Sequence, residues 1–158
     1  MDEKAKKHVL RLIPYGLYVL TARTADGLNA ATVSWLIQAS FDPPRIVVGL
    51  RKESGIWQRV QTAGTFAVNV LGTGQKEAAS AFLRHVEPEE GTLAGHPYHE
   101  GATGAPILDG APAFLECRVV ASLDAGDHTL FLADVIEAGV GGEGEALTLA
   151  DTGWHYGG

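Results

Sequence analysis

Gly16-Leu17-Tyr18-Val19-Leu20-Thr21-Ala22-Arg23, then Asp26-Gly27, then the run from Leu28 to Ser40, is the stretch that decides the fold. The first run is dense in β-formers, Asp-Gly is a strong hairpin-turn signal, and the second run follows at once. The two therefore read as an antiparallel hairpin. Asp42-Pro43-Pro44 ends it, because two successive residues bring no N–H to a strand ladder. Outward from this hairpin, Arg45 to Arg51 and Phe66 to Leu71 read as a third and a fourth strand. Ala113 to Leu123 and Thr129 to Val140 read as two longer ones, hinged at Gly126-Asp127.

Short helices interrupt the strands. One is expected over residues 2–12, where Ala5, Val9 and Leu12 share a face until Pro14 stops it. A second starts from the N-cap Ser54, runs through Ile56, Trp57 and Val60, and closes at Gly64. A third, Gln75 to Arg84, turns Ala78, Ala79, Phe82 and Leu83 toward the core. From His85 to Gly104 the pattern dissolves into Glu, Gly, His and Pro, which predicts a long functional or mobile loop. Many strands with few short helices imply a mainly β barrel or sandwich. No repeat or linker divides it, so residues 1–158 are expected to form a single domain.

Composition excludes several function classes. With 12 Lys and Arg against 19 Asp and Glu, the formal net charge is −7, the wrong sign for a nucleic-acid binder or for an acidic membrane surface. A small anionic cofactor stays possible, because local donors outweigh a screened global field. The lone Cys117 permits no internal disulfide, the charged start leads into no apolar run, and no stretch is long enough to span a bilayer. The cytoplasm is the expected compartment.

Three segments can carry chemistry. In Asn29-Ala30-Ala31-Thr32-Val33-Ser34-Trp35, small and hydroxyl side chains let a ligand approach the backbone, and Thr32, Ser34, Gln38 and Ser40 share strand parity. The alternative is a solvent-facing sheet surface decorated with hydroxyls. Arg51-Lys52-Glu53-Ser54 places two cations before free helix N–H groups, a ready phosphate site, or else a plain N-cap with solvated neighbours. Gly126-Asp127-His128 turns the chain and starts a returning strand, so His128 at a strand end can donate to a cofactor or substrate, or simply stand in solvent.

Other candidates fail. Gly72-Thr73-Gly74 lacks the third glycine of a dinucleotide fingerprint, Glu77 standing there instead. His85, His96 and His99 fit no metal spacing and Pro97 forbids a helix, so no metal is expected. Glu87, Glu89 and Glu90 read as a solvated rim, and Cys117 as a buried small hydrophobe. No catalytic triad is recognisable.

Taken in order, these segments resemble the flavin reductase-like family with an FMN-binding split β-barrel. The carrying residues are Tyr15 to Thr21, Asn29 to Ser34, Ser40-Phe41-Asp42-Pro43-Pro44, Phe66 to Leu71, Phe82, Gly104-Ala105-Pro106-Ile107-Leu108, Leu115-Glu116-Cys117 and Gly126 to Phe131. The resemblance implies FMN at a homodimer interface. Its phosphate would lie on Asn29, Ala30, Ala31, Thr32, Val33 and Ser34 and on Arg51, Lys52 and Ser54, with its ring along Ala39 and Ser40. Trp35 and Phe82 are implied as further cofactor neighbours, and His128 as the residue near the flavin and the nicotinamide. Members reduce flavin with NADH or NADPH, often for a separate monooxygenase, while others pass electrons onward. One departure is Trp35-Leu36-Ile37-Gln38, bulkier than the Ser-rich stretch of many reductases and similar to FMN domains fused to electron carriers. Trp35 there either shields a flavin face or fills core. Two rivals follow: an FMN electron carrier without a nicotinamide site, and a flavin-free split-barrel binding module.

Overall fold

The computed structural model describes residues 1–158. The chain opens with α1 (Glu3–Arg11), whose N-cap Asp2 accepts hydrogen bonds from the N–H groups of Lys4 and Ala5. There follow β1 (Tyr18–Thr24), β2 (Gly27–Val33), β3 (Leu36–Ser40), β4 (Arg45–Arg51), α2 (Gly55–Ala63) and β5 (Thr65–Val70). Next are α3 (Lys76–Ala81), β6 (Pro88–Glu89), β7 (Thr92–Leu93), β8 (His96–Glu100) and β9 (Pro106–Leu108). The long strands β10 (Ala113–Asp124) and β11 (His128–Val140) and the short α4 (Leu149–Thr152) complete it.

Seven strands form one antiparallel sheet in the order β2-β1-β5-β10-β11-β4-β3. The first hairpin is as expected, with Tyr18 opposite Val33 and Thr24 opposite Gly27. Its second run is not one strand. It breaks at Ser34-Trp35, and the two halves lie at opposite edges of the sheet. Two intervening residues reach only about 10 Å, so those edges must come close. The sheet is therefore rolled into a barrel split at one seam, and the chain crosses that seam at Ser34-Trp35. The free edge of β2 is covered there: the Thr32 N–H donates to the Phe82 carbonyl at 3.0 Å and Thr32 Oγ1 to the Ala79 carbonyl at 2.7 Å.

The core fills both faces of β1. Leu20 and Ala22 pack with Val48, Leu50, Val60, Phe66 and Phe131, while Val19 packs on the other side with Leu17, Phe82, Leu93 and Leu147. That double burial explains why β1 reads as a nearly unbroken apolar run. Its buried Thr21 donates to the Pro106 carbonyl at 2.6 Å, and buried Asn69 donates to the Val19 carbonyl and accepts from the Leu108 N–H at 2.7 Å.

One sequence expectation needs correcting. The stretch 85–104 is no featureless loop: β6 to β9 form a small four-stranded antiparallel meander, anchored by buried Leu93, Ala105 and Ile107. Its strands are two to five residues long, too short to show a period of two. In α1 no residue is buried, so the face of Ala5, Val9 and Leu12 does not reach this chain's core. No helix is long and apolar enough to cross a membrane, and no group of three or more His, Cys, Asp or Glu side chains is placed to hold a metal.

Candidate functional site

At the seam the wall opens. A hollow of about 260 Å³ is lined by Ala31, Thr32, Val33, Ser34 and Trp35 from the crossing, by Gly49 to Arg51 of β4, by Ser54 and Ile56, and by Phe82, Leu83 and Tyr156. A second hollow of about 370 Å³ shares Thr32 to Ser34, Leu83 and Tyr156 with it and continues to Leu17, Leu149, Trp154 and His155. Together they make one groove along the seam, of the size and mixed apolar and polar lining of a small-molecule site.

One end of the groove carries a cation beside a helix start. Ser54 caps α2, its Oγ accepting from the Trp57 N–H at 3.2 Å while donating to the Arg51 carbonyl at 2.8 Å. This fixes Arg51, whose side chain is exposed, beside the free N–H groups of the first turn. Asn29 lies over that turn: a methyl group at Gly55 would stand 2.6 Å from Asn29 Nδ2. Lys52 turns away, its Nζ bonding Asp124 Oδ1 at 2.6 Å, and does not line the groove.

The other end is aromatic. Trp35 lies across Gly49, where an added Cβ would meet its ring at 3.3 Å. The His128 ring lies against Trp35 at 4.4 Å between centroids, tilted by 34°, and Tyr156 meets Trp35 edge-on at 5.1 Å. His128 is only 7% exposed, so it is neither a solvent histidine nor a bare rim residue. Its Nδ1 faces Asp127 Oδ1 at 2.7 Å and its Nε2 faces the Tyr156 hydroxyl at 2.7 Å. The hydrogen bond from His128 holds the Asp127 carboxyl below its ordinary range, and burial raises the Tyr156 phenol. His128 also sits directly opposite Arg51 in the β11–β4 ladder, so residues 77 positions apart in sequence are cross-strand neighbours.

The expected site residues thus fall into groups. Ala31, Thr32, Val33, Ser34, Trp35, Arg51, Ser54 and Phe82 line the groove, and Asn29 and His128 flank it. Ala30 points into the core. Ala39 and Ser40 lie in a separate small hollow with Gln38 and Phe41, because the break at Ser34-Trp35 ends the parity that joined Ser40 and Gln38 to Thr32 and Ser34. The reading of the sequence missed Gly49, Leu83 and the tail residues Trp154 to Tyr156. The only signal for the tail was an aromatic cluster just beyond the helix-ending Gly153.

Fold and groove define a split β-barrel protein with a small-molecule site at its seam. The chain belongs to the flavin reductase like domain family, whose model matches residues 10–158. It is similar to diflavin flavoprotein A 1 of Synechocystis (32% identical over 149 residues, 94% of this chain), but spans only about a quarter, 26%, of that relative. It is also similar to the FMN reductase (NADH) RutF of Ancylobacter novellus (31% identical, covering 87% of this chain and 75% of the relative). Among solved structures, the styrene monooxygenase flavin reductase of Pseudomonas putida S12 superposes with a TM-score of 0.79 at 30% identity, covering 93% of this chain and 92% of that one.

Proposed function

We propose that residues 1–158 form one FMN-binding unit that reduces flavin with NADH, works as a homodimer, and hands reduced flavin or its electrons to a partner such as a monooxygenase. The cytoplasm, with its pool of reduced nicotinamide cofactor, is the compartment this reading requires. The observation that carries it is the seam groove, with an anion cradle at Arg51 and the start of α2 and an aromatic wall at Trp35 and His128. The groove residues fit a polar, planar ligand on their own terms. Trp35 Nε1 is a buried donor without a partner in the chain, the kind of orphan that a ligand acceptor satisfies. The name of the FMN reductase (NADH) RutF among the relatives supports the choice of FMN and NADH for this reading.

Bound FMN would supply the hydride-accepting ring. The chain's own part is positional. Arg51 and the first N–H groups of α2 would bind the phosphate, Asn29 and Gly55 would shape its approach, and Thr32, already committed to Ala79, stiffens the wall. Ser34 and Trp35 would present the polar atoms at the crossing, and His128 would help to align a nicotinamide ring. Alignment of two stacked rings can account for several orders of magnitude in rate without any acid–base group. Diflavin relatives favour a second reading, an FMN electron carrier with no nicotinamide site of its own.

Spectra and titrations decide between them. The purified protein should bind FMN at least tenfold more tightly than riboflavin, since a charge-assisted hydrogen bond is worth about 1.5–3 kcal/mol. Equal dissociation constants by fluorescence quenching would overturn the phosphate cradle. NADH without oxygen should bleach the bound flavin; persistence of the oxidised spectrum would leave the carrier reading, and no flavin binding at all would leave a binding module.

A further inference from the structure

We infer that Tyr156 is a gate on His128, holding the imidazole nitrogen that an incoming nicotinamide carboxamide takes over; this rests on the flavin-reduction reading above. The tail is brought to the groove by a defined path. The Leu147 N–H donates to the Leu71 carbonyl at 2.8 Å and the Leu17 N–H to the Leu147 carbonyl at 3.0 Å, so the tail is stitched between β5 and β1. Thr148 and Asp151 then close a capping box on α4, and Gly153 ends it in a left-handed conformation at φ 73°. Three residues later Tyr156 enters the groove, followed by Gly157 at φ 81°. Tyr156 is thus the one aromatic side chain between two glycine joints that lines both hollows.

Tyr156 and the imidazole differ in access. Tyr156 is 41% exposed while His128 is 7% exposed. Trp35 covers one side of the imidazole and the Tyr156 ring meets it edge-on, with 81° between the planes. Nothing can hydrogen-bond Nε2 until the Tyr156 hydroxyl leaves it. The Tyr156 side chain makes that single hydrogen bond and edge-on contacts to two rings, and the Gly157 carbonyl after it accepts one long bond, 3.4 Å, from Arg11 Nε, so few contacts oppose its displacement.

The direction of the hydrogen bonds sets what can replace it. Ionised Asp127 only accepts, so Nδ1 carries the proton that faces it. In the neutral ring Nε2 is then an acceptor, and the Tyr156 O–H donates to it. The replacing group must therefore also be a donor. A carboxamide NH₂ meets that condition. A carboxylate in its place does not, and it would stand near Asp127 as well.

The test is Tyr156→Phe, which keeps the ring and removes the O–H. Calorimetric titration of FMN-loaded protein with NAD⁺ should give a dissociation constant about three- to tenfold lower than wild type, the weight of one hydrogen bond no longer to be broken. In both proteins the deamidated dinucleotide, with a carboxylate for the carboxamide, should bind more weakly than NAD⁺. In steady state, KM for NADH should fall by more than kcat changes. In protein free of ligands, the His128 Nε2 resonance should shift in the variant while Nδ1 stays protonated. An unchanged or raised dissociation constant for NAD⁺ overturns the gate, as does a fall in kcat at constant KM, which would make Tyr156 an aligning residue. Equal binding of the deamidated analogue overturns the donor requirement. Wild-type protein that binds no FMN, or is not bleached by NADH, overturns the underlying reading; a wild type that passes both checks beside an indifferent variant overturns the gate alone.

Discussion

His128 is where a short sequence signal and a buried environment meet. A turn followed by a histidine was legible in Gly126-Asp127-His128, and the structure adds what the sequence could not carry: the ring lies against Trp35, 93 residues earlier, and meets Tyr156, 28 residues later. Contacts of that range leave no local pattern. Replacing His128 by Ala should slow flavin reduction by NADH on the order of a hundredfold, because misplacing one ring against the other is costly, while FMN affinity changes little. Stopped-flow reduction beside an FMN titration of the same variant measures both. A matched loss of affinity would make His128 a cofactor ligand, and an unchanged rate would make it structural. Cys117 was read as an inert buried hydrophobe, and burial, with Glu116 adding to it, raises its thiol to about 12.

Elements with strong local chemistry were legible, and those defined by tertiary position were not. The start and stop of α2 could be read from Ser54 and Gly64, because an N-cap hydroxyl and a left-handed glycine are local requirements. The break of the second β run at Ser34-Trp35 could not, since both halves are good strand sequence and only the rolling of the sheet separates them. The meander was equally hidden, and one of its ties to the barrel is a single carboxylate. Glu116, 1% exposed on β10, accepts from the Ala102 N–H at 3.0 Å and from the Thr103 N–H and hydroxyl at 2.8 and 2.6 Å. Gly101 leaves the room for that carboxylate, which a Cβ there would strike. Burial works to raise the Glu116 carboxyl, but the hydrogen bonds from Thr103 and Ala102, with His99 nearby, hold it below its ordinary value. A carboxyl depressed in the folded state stabilises fully above its unfolded pKa, about 4.3, and loses that contribution as pH falls through the lower folded value. Glu116→Gln should therefore cost about 1.5–3 kcal/mol at neutral pH and show a smaller deficit in acid. Urea unfolding at pH 7 and near pH 3 checks this; a deficit that does not shrink in acid would mean that shape, not charge, holds the 101–105 turn.

At the scale of the whole molecule, the split barrel satisfies its own interior but leaves apolar surface that a single copy does not use. Val9 on α1 and Leu12, its C-cap, are 58% and 66% exposed, and Ile37 and Phe41, on and just beyond the edge strand β3, are 65% and 92% exposed. Scattered apolar side chains are normal on a surface. These, however, lie along a helix with no buried residue and on an edge strand beside the seam, two places where the fold has an unpartnered face. An exposed strand edge is also a pairing hazard that proteins usually cover. The groove adds a second reason, since it is a hollow that opens to solvent in the single chain. A second copy closing over the seam would answer both, and symmetric dimers are the commonest way for one surface to complement itself. Light scattering should therefore give twice the 16.7 kDa chain mass at micromolar concentration. Ile37→Lys with Phe41→Lys should shift the protein toward monomer and weaken FMN binding together, because both would depend on the closed seam. A monomer's mass in wild-type protein saturated with FMN would sink the dimer. A dimer that survives both lysines would place its interface elsewhere, on α1 or on the far ends of β10 and β11, where Val120, Leu123 and Val140 are also exposed.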